Sequence, residues 1–188
     1  GPGDGRVMVS TSSEGLNWKL VDNHEQWWAT SGVGVAMDSK NVVHMITFDW
    51  NERPYYQKLN TIDSPKGDST WDAVEPLESS LISYNKNCSI AVDANDVPHV
   101  LYQLYENYKG KSRVTLYYAN RVGGVWHKTV LWPKETGSFS GTADIAVGPD
   151  NVPYILMGTV MLKGNANDPS AFETKDLGGG YSFVIHQN

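Results

Sequence analysis

Residues 34–46 read GVAMDSKNVVHMI, residues 89–101 read SIAVDANDVPHVL and residues 144–156 read DIAVGPDNVPYIL. The three stretches superpose at one spacing of 55 residues, which carries Asp38 onto Asp93 and Gly148, and His44 onto His99 and Tyr154. Trp71 and Trp126 keep the same interval. Each stretch is a short apolar run, a polar turn and a second short apolar run, bounded by Asp, Asn, Gly and Pro, which is strand and turn chemistry. A tandem repeat of this length built from such pieces specifies stacked four-stranded sheets, as in a β-propeller. The expected fold is all-β, a propeller of four-stranded antiparallel blades, with about 3.4 blades in the 188 residues.

The unit between residues 88 and 132 is the clearest. Ser89 to Asp93 reads as a strand, Ala94-Asn95-Asp96 as a turn, Val97 to Tyr102 as a second strand, Val114 to Arg121 as a third, and Val125 to Trp132, after Gly123-Gly124, as a fourth. The unit at 33–78 repeats the order with Val33 to Asp38, Val42 to Phe48, Tyr55 to Asn60 and Trp71 to Leu77. Runs such as SIAVD and VPHVL lack polar alternation, as expected where both faces of a sheet are covered. Near 4–21, Arg6 to Thr11 and Leu16 to Val21 supply only third and fourth strands. The unit at 143–188 shows Asp144 to Val147, Val152 to Val160 and a third strand at Tyr181 to His186. Residues 4–188 are thus expected to form one partial propeller, and Gly1-Pro2-Gly3 reads as the scar of a removed tag. Propellers close with roughly four to eight blades. The expectation is therefore either a fragment with missing blades or a protomer completed by self-association.

Composition narrows the partners. Seven Trp, ten Tyr and four Phe beside 19% charged residues suit a β-rich chain, not a disordered one. A net charge of -6 with four Arg and eleven Lys argues against nucleic acid, which needs a concentrated positive surface. No apolar run reaches about eighteen residues, so no membrane-spanning helix is expected. Cys88 is the only cysteine, which excludes an intrachain disulfide; its place in an apolar strand predicts an inert buried thiol. Asp93-Ala94-Asn95-Asp96 lacks the distal bidentate Glu of a calcium loop and reads as a turn. No metal and no cofactor is expected.

In a radial four-stranded sheet, the turns joining strands one to two and three to four emerge at one end, and the other connections at the opposite end. The first set is short, for example Asp38 to Asn41, Asp93 to Asp96 and Gly148 to Asn151. The second set reads as longer loops: Asp22 to Gly32, Asp49 to Pro54, Ser79 to Asn87, Tyr105 to Arg113, Trp132 to Gly141 and Met161 to Gly180. Function concentrates on long loops carried by a rigid scaffold. His44 and His99 follow short turns at the other end, so they are expected to serve the repeat by bonding their turns. His24 stands on the elaborate side. There too lie Trp27, Trp50, Tyr55, Tyr84, Tyr105 and Tyr108, with polar neighbours including Asn51, Glu52, Arg53, Glu106, Lys109 and Lys111. Aromatic faces stack on the C–H faces of sugars, and amides and charges bond hydroxyls and carboxylates. A polysaccharide or other glycan is the expected ligand, with about half of these rings packing in the core instead.

Thr11-Ser12-Ser13-Glu14-Gly15-Leu16-Asn17-Trp18 resembles the Asp-box of bacterial neuraminidase repeats, with Ser13 in place of the Asp. Gly123-Gly124-Val125-Trp126 and Asp68-Ser69-Thr70-Trp71 resemble degenerate copies. With the repeat, this likeness to sialidase-type β-propellers covers most of the chain; the box implies a structural turn, not a site. More distantly, Thr47-Phe48-Asp49-Trp50-Asn51-Glu52-Arg53-Pro54-Tyr55-Tyr56 resembles a connection in propeller polysaccharide lyases of the ulvan lyase kind. This chain has Trp50-Asn51 where that family carries a His. The likeness implies β-elimination of a uronate-containing glycan by a secreted or cell-surface protein, with His24 and Tyr84 (or Tyr55) transferring protons and Arg53 neutralising the carboxylate. Trp27, Trp50, Asn51, Tyr55, Tyr105 and Lys109 would bind substrate. Abstraction of a proton α to a carboxylate needs that charge offset and a base tuned toward neutral pH. A sialidase would bind its carboxylate with three arginines. Of Arg6, Arg53, Arg113 and Arg121 only Arg53 and Arg113 fall in the long connections, which favours a lyase over a sialidase or other glycoside hydrolase. The alternatives are a non-catalytic, lectin-like glycan-binding module and a protein-interaction propeller.

Overall fold

The computed structural model describes residues 7–11, 19–24, 32–49, 51–60, 72–79, 87–133, 137–165 and 168–178. Among these residues every regular element is a strand. β1 (Val7–Thr11) and β2 (Lys19–His24) form an antiparallel pair. Three four-stranded antiparallel sheets follow, each ordered as the chain runs. Sheet one holds β3 (Gly34–Met37), β4 (Val42–Phe48), β5 (Pro54–Asn60) and β6 (Glu75–Pro76). Sheet two holds β7 (Cys88–Val92), β8 (Pro98–Tyr108), β9 (Lys111–Val122) and β10 (Val125–Trp132). Sheet three holds β11 (Ala143–Val147), β12 (Pro153–Met157), β13 (Val160–Asn165) and β14 (Asp168–Asp176).

The recurring turns are built alike. Asn41 N–H bonds Asp38 O and Asp38 N–H bonds Val42 O; the same two bonds recur at Asp93 to Val97 and at Gly148 to Val152. The residue closing each turn, Asn41, Asp96 or Asn151, has φ of 61, 61 or 60°. Asn and Asp tolerate that left-handed conformation better than other non-glycine residues, which explains their recurrence.

Four stretches differ from the expectation. Val152 to Val160 is not one strand, because Gly158 at φ 57° turns the chain and pairs Met157 with Val160. Met161 to Gly180 is accordingly no long loop: β13 and β14 run through it and complete sheet three, without the strand expected at Tyr181 to His186, which lies outside the described residues. Tyr105 to Arg113 is no loop either. β8 and β9 extend through it to a two-residue turn at Lys109-Gly110, whose φ values of 52 and 77° suit a tight hairpin that follows strand twist. In sheet one, Trp71 to Leu77 contributes only the two-residue strand β6 among its described residues.

β7 lies between β3 and β11. Successive residues of sheet two therefore feed opposite cores. Val100, Tyr102, Leu104 and Ala119 pack with Ile46, Tyr56, Leu77 and Ile90 of the neighbouring strands toward sheet one. Leu101, Leu116 and Tyr118 pack with Ile145, Ile155 and Leu162 toward sheet three. Each such side chain contributes roughly 1.5–3 kcal/mol by leaving water, and the double coverage explains the apolar run VPHVL. Matching positions hold the sheets together. Asp96 Oδ1 accepts from Ser39 N at 2.9 Å, and Asn151 Oδ1 accepts from Ala94 N at 2.9 Å, one repeat further on. Turn thus abuts turn at both junctions through the same bond. Farther out, Glu75 receives a two-pronged bond from Arg121 at 2.8 and 2.9 Å and one from Trp126 Nε1 at 3.0 Å.

Candidate functional site

The recurring histidines are buried nodes. His44 Nε2 lies 3.1 Å from Asp38 Oδ2 and Nδ1 lies 2.6 Å from the Tyr56 hydroxyl. His99 repeats the pattern with Asp93 at 3.4 Å and Tyr118 at 2.7 Å. The other Asp38 oxygen accepts from Lys40 N and Val42 N, closing the turn. Both rings are 3% exposed, so neither reaches solvent or ligand in this conformation. Cys88 is inert as well: burial pushes its thiol up to about 12.

The opposite end of sheet two is more open. β4 stops at Phe48, the repeat partner of Gln103, whereas β8 runs on to Tyr108 and carries the hairpin about 17 Å farther at roughly 3.4 Å per residue. Strand alternation places Glu106 and Tyr108 on one face, opposite Arg113 and Lys111, and puts Tyr105 and Asn107 on the other. Glu106 Oε1 accepts from Arg113 Nε at 2.8 Å and from Thr115 Oγ1 at 2.6 Å, and Oε2 accepts from the Tyr117 hydroxyl at 2.9 Å. Burial alone would raise the Glu106 carboxyl, but those bonds outweigh it and hold it below its ordinary value. Burial, then the bond to Glu106, pushes the Tyr117 hydroxyl up. The Arg113 guanidinium in turn lies 3.8 Å over the Tyr108 ring, with Lys109 Nζ 5.1 Å from the same centroid.

Beside this ladder is a cleft of about 520 Å³, lined by Tyr108, Lys109, Lys111, Ser112 and Arg113 of the hairpin and by Gly137 and Ser138. The second wall is tied to the outer edge of β9. Val114 N–H bonds Ser138 Oγ at 2.9 Å, and Phe139 N–H bonds Val114 O at 2.7 Å. Lys109 and Lys111 are exposed, so the cleft is cationic on a chain of net charge -6.

The residues singled out from sequence fall into three groups. Tyr105, 39% exposed, and Lys109 come together on this hairpin. Asn51, Arg53 and Tyr55 belong to the β4–β5 connection. There Asn51 is exposed, Arg53 bonds Asp49 Oδ2 through Nε at 2.9 Å, and Tyr55 is 7% exposed. Burial, and secondarily the Asp49 charge, pushes the Tyr55 hydroxyl up to about 12. Trp27, Trp50 and Tyr84 lie outside the described residues, as does the side chain of His24, whose backbone ends β2 opposite Val7. Ser138 was not singled out by residue type; it lies in the Trp132 to Gly141 connection, and its partner one repeat earlier is Ser83 in the Ser79 to Asn87 connection. Among the described residues no group of three His, Cys, Asp or Glu is placed to hold a metal, and no helix could cross a membrane. No family model matches the sequence, and no curated protein matches it.

Proposed function

We propose that this chain is a glycan-recognising β-propeller module of the sialidase and ulvan lyase kind, and that the cleft beside the β8–β9 hairpin takes an acidic polysaccharide. The propeller reading is supported by the recurrence of one turn-to-turn bond at both junctions, since blades around an axis repeat one contact set. The ligand reading is carried by one observation: Lys109, Lys111 and Arg113 gather around Tyr108 in a cleft of an otherwise acidic chain. The two lysines supply charge. Arg113, buried and paired with Glu106, holds the Tyr108 ring in place at the cleft wall, and Ser112 and Ser138 add hydroxyls to the lining. Recognition is the reading argued because its residues line one cleft, whereas Arg53 and Tyr55 belong to the β4–β5 connection, where Arg53 is bonded to Asp49 and Tyr55 is 7% exposed.

Affinity electrophoresis against polyuronates, sulfated polysaccharides and neutral glucans tests the reading. Retention by the acidic polymers alone is expected, weakening as salt screens the lysines. Lys109→Ala/Lys111→Ala should lower affinity about tenfold, or about 1.4 kcal/mol. Retention by none of the acidic polymers, or an unchanged double variant, would sink the proposal. Appearance of unsaturated-uronide absorbance during incubation would restore the lyase reading.

A further inference from the structure

The first strands of the three sheets share an alternation of size. Gly34 and Ala36 in β3, Ser89 and Ala91 in β7, and Asp144 and Ala146 in β11 occupy one face. Val35 and Met37, Ile90 and Val92, and Ile145 and Val147 occupy the other. At both internal junctions the small face of one strand meets the large face of the next. A Cβ added to Gly34 would lie 3.1 Å from Ile90 Cγ2 and 3.3 Å from Ile90 N. One repeat on, Ser89 Oγ lies 2.5 Å from Asp144 Oδ1 and 3.4 Å from Ile145 N. The meeting buries Ile90 to 8%, Ile145 to 7% and Val147 to 3% exposure. On β3 the corresponding Val35 and Met37 remain 54 and 59% exposed, and Val33 just before the strand 43%. At the far end of the array, Asp144 is exposed and Ala146 partly so. The two halves of one interface therefore stand at opposite ends of the molecule.

We propose that copies of this chain join head to tail, the Ala146 face of β11 in one copy packing on Val35 and Met37 of β3 in the next, with the Asp144 carboxylate kept on Ser89 of its own copy. The occupant is a second copy because the stripe needs a strand with small side chains in matching register. Among the described residues, β11 presents such a face beyond the internal junctions. An interface of this kind is heterologous and propagates by repeating the contact already made at the two internal junctions, closing only if the turns sum to a circle. One internal feature is missing from the junction. Asn41 stands where Asp96 and Asn151 do, but its donor would be residue 149, and Pro149 has no N–H where Ser39 and Ala94 do. The contact between copies is therefore weaker than the internal ones and depends on concentration.

Sedimentation velocity of the full 188-residue chain from about 1 to about 200 µM spans the range in which such contacts saturate. The weight-average mass should rise at least twofold across it. Met37→Glu and, separately, Ala146→Trp should each hold the chain at single-copy mass. An equimolar mixture of the two should give a complex of two copies and nothing larger, since one variant keeps its β11 face and the other its β3 face. If circular dichroism shows either variant misfolded, Val35→Lys or Ala146→Lys replaces it. Single-copy mass for the unsubstituted chain at every concentration overturns the proposal; hydrogen-exchange protection of β3 under that outcome would assign the face to another segment of the same chain. Assembly that survives Ala146→Trp but not Met37→Glu also overturns it, by showing the large face pairing with itself.

Discussion

Alanine at position 34 probes the closest approach between two sheets. The new Cβ would sit 2.9 Å from Ile46 Cγ2, 3.1 Å from Ile90 Cγ2 and 3.3 Å from Ile90 N. None of these atoms gives way cheaply. Ile46 is fully buried, both isoleucines are β-branched and stiff at χ1, and the nitrogen belongs to the backbone of β7. Overpacking of this kind costs about 1–3 kcal/mol. Loss of glycine's freedom in the unfolded chain returns about 0.4–1 kcal/mol. The net expectation for Gly34→Ala is a loss of about 1–2 kcal/mol, or a fall in Tm of about 3–6 °C for a chain of this size. Gly148→Ala is the control. Its Cβ would come within 2.6 Å of Asp150 Oδ1 and 3.2 Å of Tyr154 Cε2, but the exposed carboxylate can swing aside at the loss of its long bond from Val152 N, so the cost should stay at about 1 kcal/mol, below that of Gly34→Ala. Urea unfolding followed by far-UV circular dichroism gives both midpoints and checks that the slope is unchanged. Gly34→Ala matching or exceeding the parent in stability, with Gly148→Ala the costlier change, would refute the close packing of β3 on β7.

Stability should fall in acid in two stages. Burial lowers the His44 value despite Asp38, so the folded state favours the neutral ring; that contribution is full above the unfolded value of 6.5 and is lost as pH falls below it. Asp38 and Asp93 are raised by burial but lowered more by hydrogen bonds from the turn and the histidine, so their contribution is present above 3.8 and disappears as pH falls through the lower folded values. A urea midpoint that rises between about pH 7 and 5 would contradict this, and His44→Gln should flatten the upper stage. At the outer junction, Glu75→Ala should cost about 1 kcal/mol, modest because both partners are about a third exposed. A Glu75→Ala/Arg121→Ala cycle should show coupling that shrinks as salt is added, and additivity at low salt would deny the pair a role.

What could be read from sequence follows the repeat, and what could not lies where the repeat lapses. Val42–Phe48 and Val125–Trp132 match their strands to the residue because a turn at each end punctuates them. Past Leu156 the third copy shortens: Gly158-Thr159 is an inconspicuous pair, yet a glycine at positive φ suffices to reverse the chain. Tyr105 to Arg113 was read as a loop from its polar and aromatic composition. The alternation of that composition about Lys109-Gly110 was the hairpin signal. It matters for the site, because only with Lys109-Gly110 as the turn does Glu106 face Arg113 and Tyr108 face Lys111. Tyr105, Lys109 and Lys111 could be proposed from residue type alone. The Glu106–Arg113–Tyr108 ladder required register, and Ser138 required the path of the connection that carries it back to Val114.

The third copy shows why the Asp, His and Tyr of the other two are one unit. Asp38 is held ionised and burial favours the neutral His44 ring, so His44 Nε2 donates to Asp38 and its Nδ1 accepts from Tyr56; Asp93, His99 and Tyr118 repeat the same contacts. Every member has one role that another completes, and in a buried site a member without its partner carries an uncompensated polar group costing about 1–3 kcal/mol. Partial replacement is therefore worse than none or all. In the third copy all three positions differ together: Gly148 stands for the Asp, Tyr154 for the His, and Met161 for the Tyr, since Met161 pairs with Leu156 as Tyr56 pairs with Ile46 and Tyr118 with Leu101. The backbone bond that the Asp makes is not abandoned. Asp150 Oδ1 accepts from Val152 N at 3.3 Å, as Asp38 accepts from Val42 N at 2.9 Å and Asp93 from Val97 N at 2.8 Å. Asp150 reaches back into the space a side chain at 148 would fill, which is why a Cβ there would lie 2.6 Å from its carboxylate. The turn thus keeps its acceptor while the buried histidine and its hydroxyl partner are dispensed with, and Tyr154 packs beneath Lys163 Nζ at 5.8 Å in their place.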